Sequence, residues 1–572
     1  MYKYSVLITH LALLVLLGAC AESTTMAKNE EPVPAQLVDK QPNILFIVAD
    51  DLGFADISRL GSEIQTPNID AIADNGILFT RFYAASMCAP TRSMLLTGVD
   101  NHRVGLGNMA EFLKDNQRGH PGYEGYLNDR VATLPELLKT SNYHTYMVGK
   151  WHLGYAHDQS PRARGFDRSF ALLDGAASHF EDMAGVTTYH TAARYREDGE
   201  LLGSLPNGFY SSRTYTDKLI SHIESNMGDG KPFFAYAAYT APHWPVQAPD
   251  DVLDKYAGTY DAGYDRVRAE RFKKIRELNL IPQESIYPER SASVPPWDSL
   301  SDHQKSIAAR QMEVYAAMVD DLDTNIGRLI TFLREKGQLH NTVIVFLSDN
   351  GADGFSLTKA PEAISAHAKT FDNSLENIGR INSFEFIGPK WANVGEAPFR
   401  LFKTMPTEGG IRVPAAIWYP ALETHGGKIN TGSATVMDLV PTVLELAGIE
   451  HTEKYQGKEV FKLDGRSLVP ILSGAQAAVR GKDDTIGLEL AGRRTLIKGD
   501  WKILRIPKPA GTDKWELFDL SSDIGEQVNL AEKMPQKLAE LILDWHAYQS
   551  DVELVLPTPG PLVSNPTPDP DH

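Results

Sequence analysis

Cysteine is nearly absent: the 572 residues hold two, Cys20 and Cys88. A pair so sparse excludes a disulfide framework and a cysteine-ligated zinc cluster. Positive charge is also in deficit, with 56 Lys and Arg against 74 Asp and Glu and a net charge of −18. That balance is the opposite of what nucleic-acid binding needs, so no nucleic-acid partner is expected. It still leaves room for an anionic small molecule, because a site can be locally positive inside an acidic shell. Long apolar runs are missing except at the N-terminus, where Val6 to Leu17 is too short for a comfortable membrane span. What is present suits a globular protein: 42% hydrophobic and 23% charged residues. At roughly 150 residues per domain the chain has room for two to four domains.

The N-terminal run reads as an export signal, residues 1–19. Lys3 precedes it, and the small residues Gly18 and Ala19 close it before Cys20. Leu16-Leu17-Gly18-Ala19-Cys20 resembles a bacterial lipobox, which implies a lipid anchor to the membrane via Cys20. The expected product is an exported lipoprotein, periplasmic or at the cell surface. Ala21 stands where an aspartate would signal inner-membrane retention, which favours the outer membrane. Residues 20–41, polar and with Pro32 and Pro34, read as a tether.

From Gln41 onward, short apolar runs alternate with amphipathic helices, the pattern of an α/β domain with a large, mainly parallel sheet flanked by helices. The expected buried strands are Ile44–Ala49, Thr145–Val148, Phe233–Tyr239, Val343–Leu347 and Ala415–Trp418. A long helix is expected between about Ile307 and Lys336, where Met318, Leu322, Ile326, Leu329 and Leu333 make a core-facing stripe. Another runs from Val436 to Leu446 and is closed by Gly448. The main domain covers 42–455. Beyond it Thr495–Ile497 and Trp501–Ile506 flank a Lys-Gly-Asp turn, Trp515–Leu520 adds a strand and Leu530–Gln549 a helix. These make a smaller C-terminal α+β subdomain over 456–556. The last sixteen residues, 557–572, hold six prolines and are expected to be extended or disordered. Two polar stretches, about 252–303 and 352–400, are expected to be lids or substrate walls, as is the loop at 102–130.

The informative residues follow the strands. Ile44–Ala49 runs into Asp50-Asp51, and Val343–Leu347 runs past Ser348 into Asp349-Asn350. Thr145–Val148 leads to Lys150 and His152, and Phe233–Tyr239 to His243. In an open parallel sheet, ligands gather beyond the carboxyl ends of the strands, so these groups should share one crevice. One Asp-Asp pair after a strand is usually a helix cap. Two acidic pairs, a lysine and two histidines at strand ends argue for a metal site instead. Three carboxylates and an amide oxygen are hard ligands, which suits Ca²⁺, with Mg²⁺ possible, better than zinc. His102, His144, His157 and His179 are read as packed or solvated.

Cys88 opens Cys88-Ala89-Pro90-Thr91-Arg92, where Pro90 marks a helix start, so the thiol faces backbone N–H groups that favour an anion. From chemistry alone this is either an activated thiol or a small buried cysteine. The same pentapeptide, followed by Ser93 and Thr97-Gly98, resembles the signature of the type I, formylglycine-dependent sulfatases. Gly149-Lys150-Trp151-His152-Leu153-Gly154, Ala241-Pro242-His243-Trp244-Pro245 and Ser348-Asp349-Asn350-Gly351-Ala352 look like segments of the bacterial arylsulfatases. So does the stretch from Lys403 to Glu408-Gly409-Gly410-Ile411-Arg412-Val413-Pro414.

The resemblance implies an alkaline phosphatase-like fold and an arylsulfatase-type enzyme that cleaves aryl or other small sulfate esters. It implies that a formylglycine-generating or other sulfatase-maturing enzyme converts Cys88 to Cα-formylglycine. The implied calcium ligands are Asp50, Asp51, Asp349 and Asn350, with the oxygen at position 88. Asp349 would be the base for the attacking hydroxyl and Arg92 would hold the charge at position 88. His243, assisted by Lys403, would protonate the leaving oxygen. His152 would take the second hydroxyl proton, with Lys150 against sulfate and nucleophile. Two rivals stand beside this reading: a phosphonate monoester or phosphodiester hydrolase of the same fold, and a non-catalytic lipoprotein that binds sulfated ligands.

Overall fold

Asn43–Ala49 (β1) is buried at every position, as a strand covered on both faces must be. A computed structural model describes residues 40–291, 294–358, 360–422, 426–560 and 565–567. The export signal, Cys20 and nearly all of the tether lie outside the described residues. Ten further strands join β1 in one sheet: β2 (Ile77–Tyr83), β3 (His144–Lys150), β4 (Arg168–Leu172), β5 (Tyr195–Glu197), β6 (Glu200–Leu201), β7 (Phe233–Ala238), β8 (Thr342–Ser348), β9 (Arg412–Trp418), β10 (Lys428–Asn430) and β11 (Ala434–Thr435). Their spatial order is β10-β2-β9-β8-β1-β7-β3-β4-β5-β6, with β11 continuing beside β2.

The central block β8-β1-β7-β3-β4 is parallel throughout. The mainly parallel α/β sheet read from the sequence is the one observed. Two strands depart from it: β5, which is antiparallel to β4 and β6, and β9. β9, the expected Ala415–Trp418 run, lies antiparallel to both β8 and β2. Its N-terminal end therefore reaches the edge where the central strands have their C-terminal ends. The chain entering β9 can bring side chains to the same crevice.

Ser301 caps the long helix Asp302–Glu335 in a reciprocal box with Gln304, and the stripe from Met318 to Leu333 is buried. Of the two stretches expected to be lids, 252–303 contains a regular helix, Tyr264–Glu277, whose Tyr264 stacks edge-on against Trp391 of the Gly388–Gly395 helix. It is a buttress of the core rather than a loop over the sheet. Its polar composition misled because Arg268 and Arg271 are buried through ion pairs and carbonyl bonds, not solvated.

Past a small ribbon, β12 (Lys454–Tyr455) and β13 (Lys458–Glu459), the C-terminal sheet is antiparallel: β14 (Thr485–Leu490), β15 (Arg493–Lys498), β16 (Trp501–Arg505) and β17 (Trp515–Asp519). The helix Pro535–Asp551 covers one face, setting Leu541 and Trp545 against Leu496, Ile503 and Leu517. The other face meets the segment that precedes β9. Leu504, Ile506 and Phe518 pack on Leu401 and Met405, and the fully buried Lys502 bridges Glu408 and Glu526 at 2.7 Å each.

His102 makes a second buried tie. It lies between Asp100 at 2.8 Å and Glu489 of β14 at 3.1 Å. Burial opposes its charge, but the two carboxylates outweigh this and raise it from 6.5 to about 9. A histidine raised on folding stabilises fully below its ordinary value, and that stability is lost as pH rises through the folded one. Urea unfolding should therefore show stability falling between about pH 6.5 and 9. His102→Gln should flatten that slope, and an unchanged slope would show that the triad does not set it.

Candidate active site

Each charged group arrives at the end of a strand. β1 delivers Asp50 and Asp51, β8 delivers Asp349 and Asn350, and β3 ends on Lys150 with His152 two residues on. β7 is followed by His243. Lys403 precedes β9, and only the antiparallel direction of that strand brings it here. Cys88 is the first residue of the helix Cys88–Thr97 that follows β2, and all ten of that helix's residues are buried.

Three aspartates in one buried crevice must be neutralised. Lys150 Nζ lies 2.7 and 3.0 Å from the two oxygens of Asp50. Arg92 donates from Nε and Nη2 to Asp349 Oδ2 at 2.9 and 2.7 Å, and from Nη1 to the Lys150 carbonyl at 3.0 Å. Lys403 Nζ is 2.8 Å from Asp51 Oδ1 and 3.2 Å from Asp353. Burial works against the Asp50 charge, but Lys150 and Arg92 outweigh it and hold its pKa below the usual range. Asp51 and Asp349 go the other way: burial, reinforced for Asp349 by Asp50, raises both.

The Asp50, Asp51, Cys88 and His243 donor atoms all lie within 4.8 Å of one another, a group that could hold a metal ion. Three of these are expected ligands; His243 was expected to act as an acid. Asp349 and Asn350 border the group. Asp349 Oδ1 accepts from the Asp51 backbone N–H at 3.3 Å, and Asn350 Nδ2 donates to Asp51 Oδ1 at 2.6 Å. The Asn350 Oδ1 atom is buried without a partner. An orphaned amide oxygen beside carboxylates that burial strains toward neutrality fits a hard divalent cation.

Cys88 is not an activated thiol. Burial pushes its pKa up to about 12, against the pull of Lys150 and Lys403. Both ammonium groups are outweighed by desolvation, which Asp50 and Asp349 reinforce.

His243 Nδ1 lies 2.6 Å from the Trp244 carbonyl, which can only accept, so Nδ1 carries the proton. Its Nε2 faces Lys403 Nζ at 3.4 Å and Asp51 at 3.3 Å. His179, set aside in the sequence reading, backs this group: its Nε2 is 3.0 Å from the His243 carbonyl. His152 stands opposite. Its Nε2 is 2.9 Å from Glu111, while its Nδ1 is buried and unpartnered. Glu111 also accepts from the Tyr155 hydroxyl at 3.0 Å. Burial disfavours the Glu111 charge, but His152 outweighs it and brings the pKa down to about 2.

Glu111 was missed by sequence reasoning, because a lone glutamate in a polar loop carries no signal of its partner. Gly175 was missed for the same reason: a Cβ there would sit 2.5 Å from His152 Cε1. The cavity in front of Cys88 has a volume of about 90 Å³. Its walls come from 109–112, 174–190, Trp244, Phe355, Ile364 and the C-terminal residues Asn565 and Thr567. Of the three expected substrate loops, 102–130 and 352–400 contribute walls and 252–303 contributes none.

Comparison with known proteins gives this geometry a family. The Sulfatase family profile matches residues 42–449. An uncharacterized sulfatase of Schizosaccharomyces pombe is 46% identical over 532 residues, covering 91% of this chain and 95% of that one. An arylsulfatase of Klebsiella aerogenes is 40% identical over 439 residues, covering 76% and 92%. Among solved structures, that of Ps i-CgsB in complex with k-i-k-neocarrahexaose superposes with a TM-score of 0.64 at 23% identity, covering 90% of this chain and 94% of that one. The phosphonate monoester hydrolase of Agrobacterium radiobacter gives 0.54 at 18%, covering 90% and 95%, a likeness of fold. The chain belongs to the sulfatase family. It is a sulfuric ester hydrolase with the alkaline phosphatase-like fold.

Gly175 yields a direct check on the His152 placement. Gly175→Ala should displace the imidazole and lower kcat on a nitrophenyl sulfate, by on the order of 10²-fold for a shift near 1 Å. Circular dichroism should stay native. Unchanged kcat would show that the position of His152 does not matter to turnover.

Proposed function

We propose that the protein hydrolyses aryl or related small sulfate esters to a phenol or alcohol and inorganic sulfate, with Cys88 first converted to Cα-formylglycine. The observation that carries this reading is the buried convergence of Asp50, Asp51, Cys88 and His243 donor atoms at the sheet edge, facing an apolar-walled cavity. The thiol's pKa of about 12 supports it further, since an unmodified Cys88 would hold almost no thiolate near neutrality. An aldehyde hydrate at this position supplies two hydroxyls on one carbon, one to attack sulfur and one to expel sulfate.

Asp50, Asp51, Asp349 and Asn350 would hold a cation, Ca²⁺ with Mg²⁺ as the substitute. When bound it would neutralise the sulfate oxygens and lower the proton affinity of the nucleophile. Asp349 accepts the proton of the attacking hydroxyl, a role suited to a carboxylate whose pKa burial has raised. Arg92 keeps that carboxylate aimed and adds positive charge near position 88. Lys150, held by both oxygens of Asp50, would pair with sulfate and with the nucleophile.

The two histidines divide the remaining proton transfers. With Nδ1–H committed to the Trp244 carbonyl, His243 acts through Nε2, and Lys403 beside it supports proton delivery to the leaving oxygen. With Nε2 donating to the Glu111 carboxylate, His152 keeps Nδ1 as its acceptor for the second hydroxyl proton. The reading includes maturation by a formylglycine-generating or similar enzyme and export as a lipoprotein anchored at Cys20.

Five measurements test it. A peptide mass spectrum across Cys88 should show the aldehyde, and Cys88→Ala should abolish turnover while the protein stays folded. Chelation should remove activity, with calcium restoring it better than magnesium. A nitrophenyl sulfate should be cleaved faster than a phosphonate monoester or phosphodiester; the reverse order by several decades would make the phosphonate hydrolase the better reading. Labelled palmitate should be incorporated in the exporting host and lost in Cys20→Ser; equal labelling would remove the anchor.

A further inference from the structure

The proline-rich C-terminus, expected to be extended or disordered, follows the 109–123 loop by hydrogen bonds where it is described. Val555 N donates to the Tyr123 hydroxyl at 2.8 Å, and Gln117 Nε2 to the Val555 carbonyl at 3.0 Å. Asn116 Nδ2 donates to the Leu556 carbonyl at 2.9 Å, and its Oδ1 accepts from Thr558 N at 2.9 Å. The next described residues continue the track into the site. Asn565 N donates to the Glu111 carbonyl at 2.8 Å and Asn565 Nδ2 to the Leu113 carbonyl at 3.3 Å. Thr567 is buried, with its hydroxyl 2.7 Å from Arg194 Nη2 and 3.1 Å from His190 Nε2. These three residues thus span from the Glu111 turn, which holds His152, to the loop that carries His190.

We propose that Asn565–Thr567 is a specificity-determining strap that closes one side of the sulfate-ester pocket and restricts it to small aromatic monoesters. This rests on the sulfate-ester reading above. Both Asn565 and Thr567 line the cavity, together with a wall of Phe112, Val186, Trp244 and Phe355. That wall offers faces for a ring and few polar atoms for a sugar chain. The strap lies outside the segment matched by the family, residues 42–449, so the polar floor can be shared among sulfatases while this closure is set separately. Without it the cavity would open along the gap between the Glu111 turn and the His190 loop, and a fused-ring or oligomeric ester could enter.

The test uses binding of unhydrolysed sulfonates, benzenesulfonate against pyrene-1-sulfonate, measured by calorimetry on the calcium-loaded full chain and on a chain ending at Gly560. Truncation should shift the ratio of the two Kd values toward the pyrene compound by at least about tenfold. Thr567→Val keeps the shape of the strap and loses both of its side-chain bonds, so it should shift the ratio the same way by at least about threefold. It carries the test by itself if the shortened chain fails to fold. A ratio unchanged in Thr567→Val and in folded truncated protein would overturn the strap. Sulfonate binding needs no turnover, so failure of ester hydrolysis would fault the reaction proposed above and leave the strap result standing.

Discussion

The organising constraint is the mutual neutralisation of Asp50, Asp51 and Asp349 by Arg92, Lys150 and Lys403, all buried. Removing one partner from such a set leaves an uncompensated buried charge and costs several kcal/mol, about 3–5 in comparable cases. Six charges from five separate chain segments can meet only if the register of β1, β8 and β3 is fixed to the residue. A slip by one position would turn Asp50 or Lys150 to the opposite face of its strand. Apolar side chains make the sheet stable, whereas the charges at its edge make one register unique. The strands are buried on both faces, so their near-continuous apolar runs cannot specify register by alternation. The terminal charges supply what the pattern lacks.

Lys403 is the member of the set that the parallel block could not provide. It reaches the crevice because β9 runs against its neighbours, and it stays there because the segment before β9 is gripped from outside. Leu401 and Met405, on either side of it, are covered by Leu504, Ile506 and Phe518 of the C-terminal sheet. Arg493 donates to the Thr404 carbonyl at 2.8 Å, and Lys502 clamps Glu408. The C-terminal subdomain is thus part of the active-site support, although it supplies no charge to the cluster. Its buried Glu408–Lys502–Glu526 bridge repeats the logic of the site: a charge is tolerated because it is answered, and answering it fixes a position.

Strand ends were legible because they combine two local signals, an apolar run and a polar pair directly after it. That was enough for the central strands and for Asp50, Asp51, Asp349 and Asn350, while Lys150, His152 and His243 stand two to four residues beyond the runs that point to them. β2 and β4 went unread: Ile77–Tyr83 carries Thr80 and Arg81 inside it, and Arg168–Leu172 opens on arginine. The direction of β9 was not legible either, since a strand's sequence does not record which way its neighbours run. Glu111, Gly175 and the C-terminal strap share one reason for being missed. Each acts through a partner far away in sequence, Glu111 and Gly175 through His152 and the strap through Glu111 and Arg194, and nothing local marks the pairing.

The active-site cavity therefore has two kinds of surface with different origins. Its floor is the charged edge of the sheet, where position is dictated by electrostatic balance and a shift of any one group exposes a buried charge. Its walls are Met109, Phe112, Val186, Phe355 and the strap, carried on segments that connect or follow the regular elements. Changing a wall residue alters shape without unbalancing charge, so the walls can be remodelled at little cost to the fold while the floor cannot. His152 sits on the seam. Its backbone belongs to the floor, two residues past β3, but its imidazole is held by Glu111 from the wall and given room by Gly175. In the reaction proposed above, a histidine held from both sides would couple the fit of the leaving group to the placement of a proton acceptor. Remodelling at Glu111 would therefore disturb the position of His152 as well as the shape of the pocket, whereas remodelling at Phe355 or Val186 would leave the charged floor untouched.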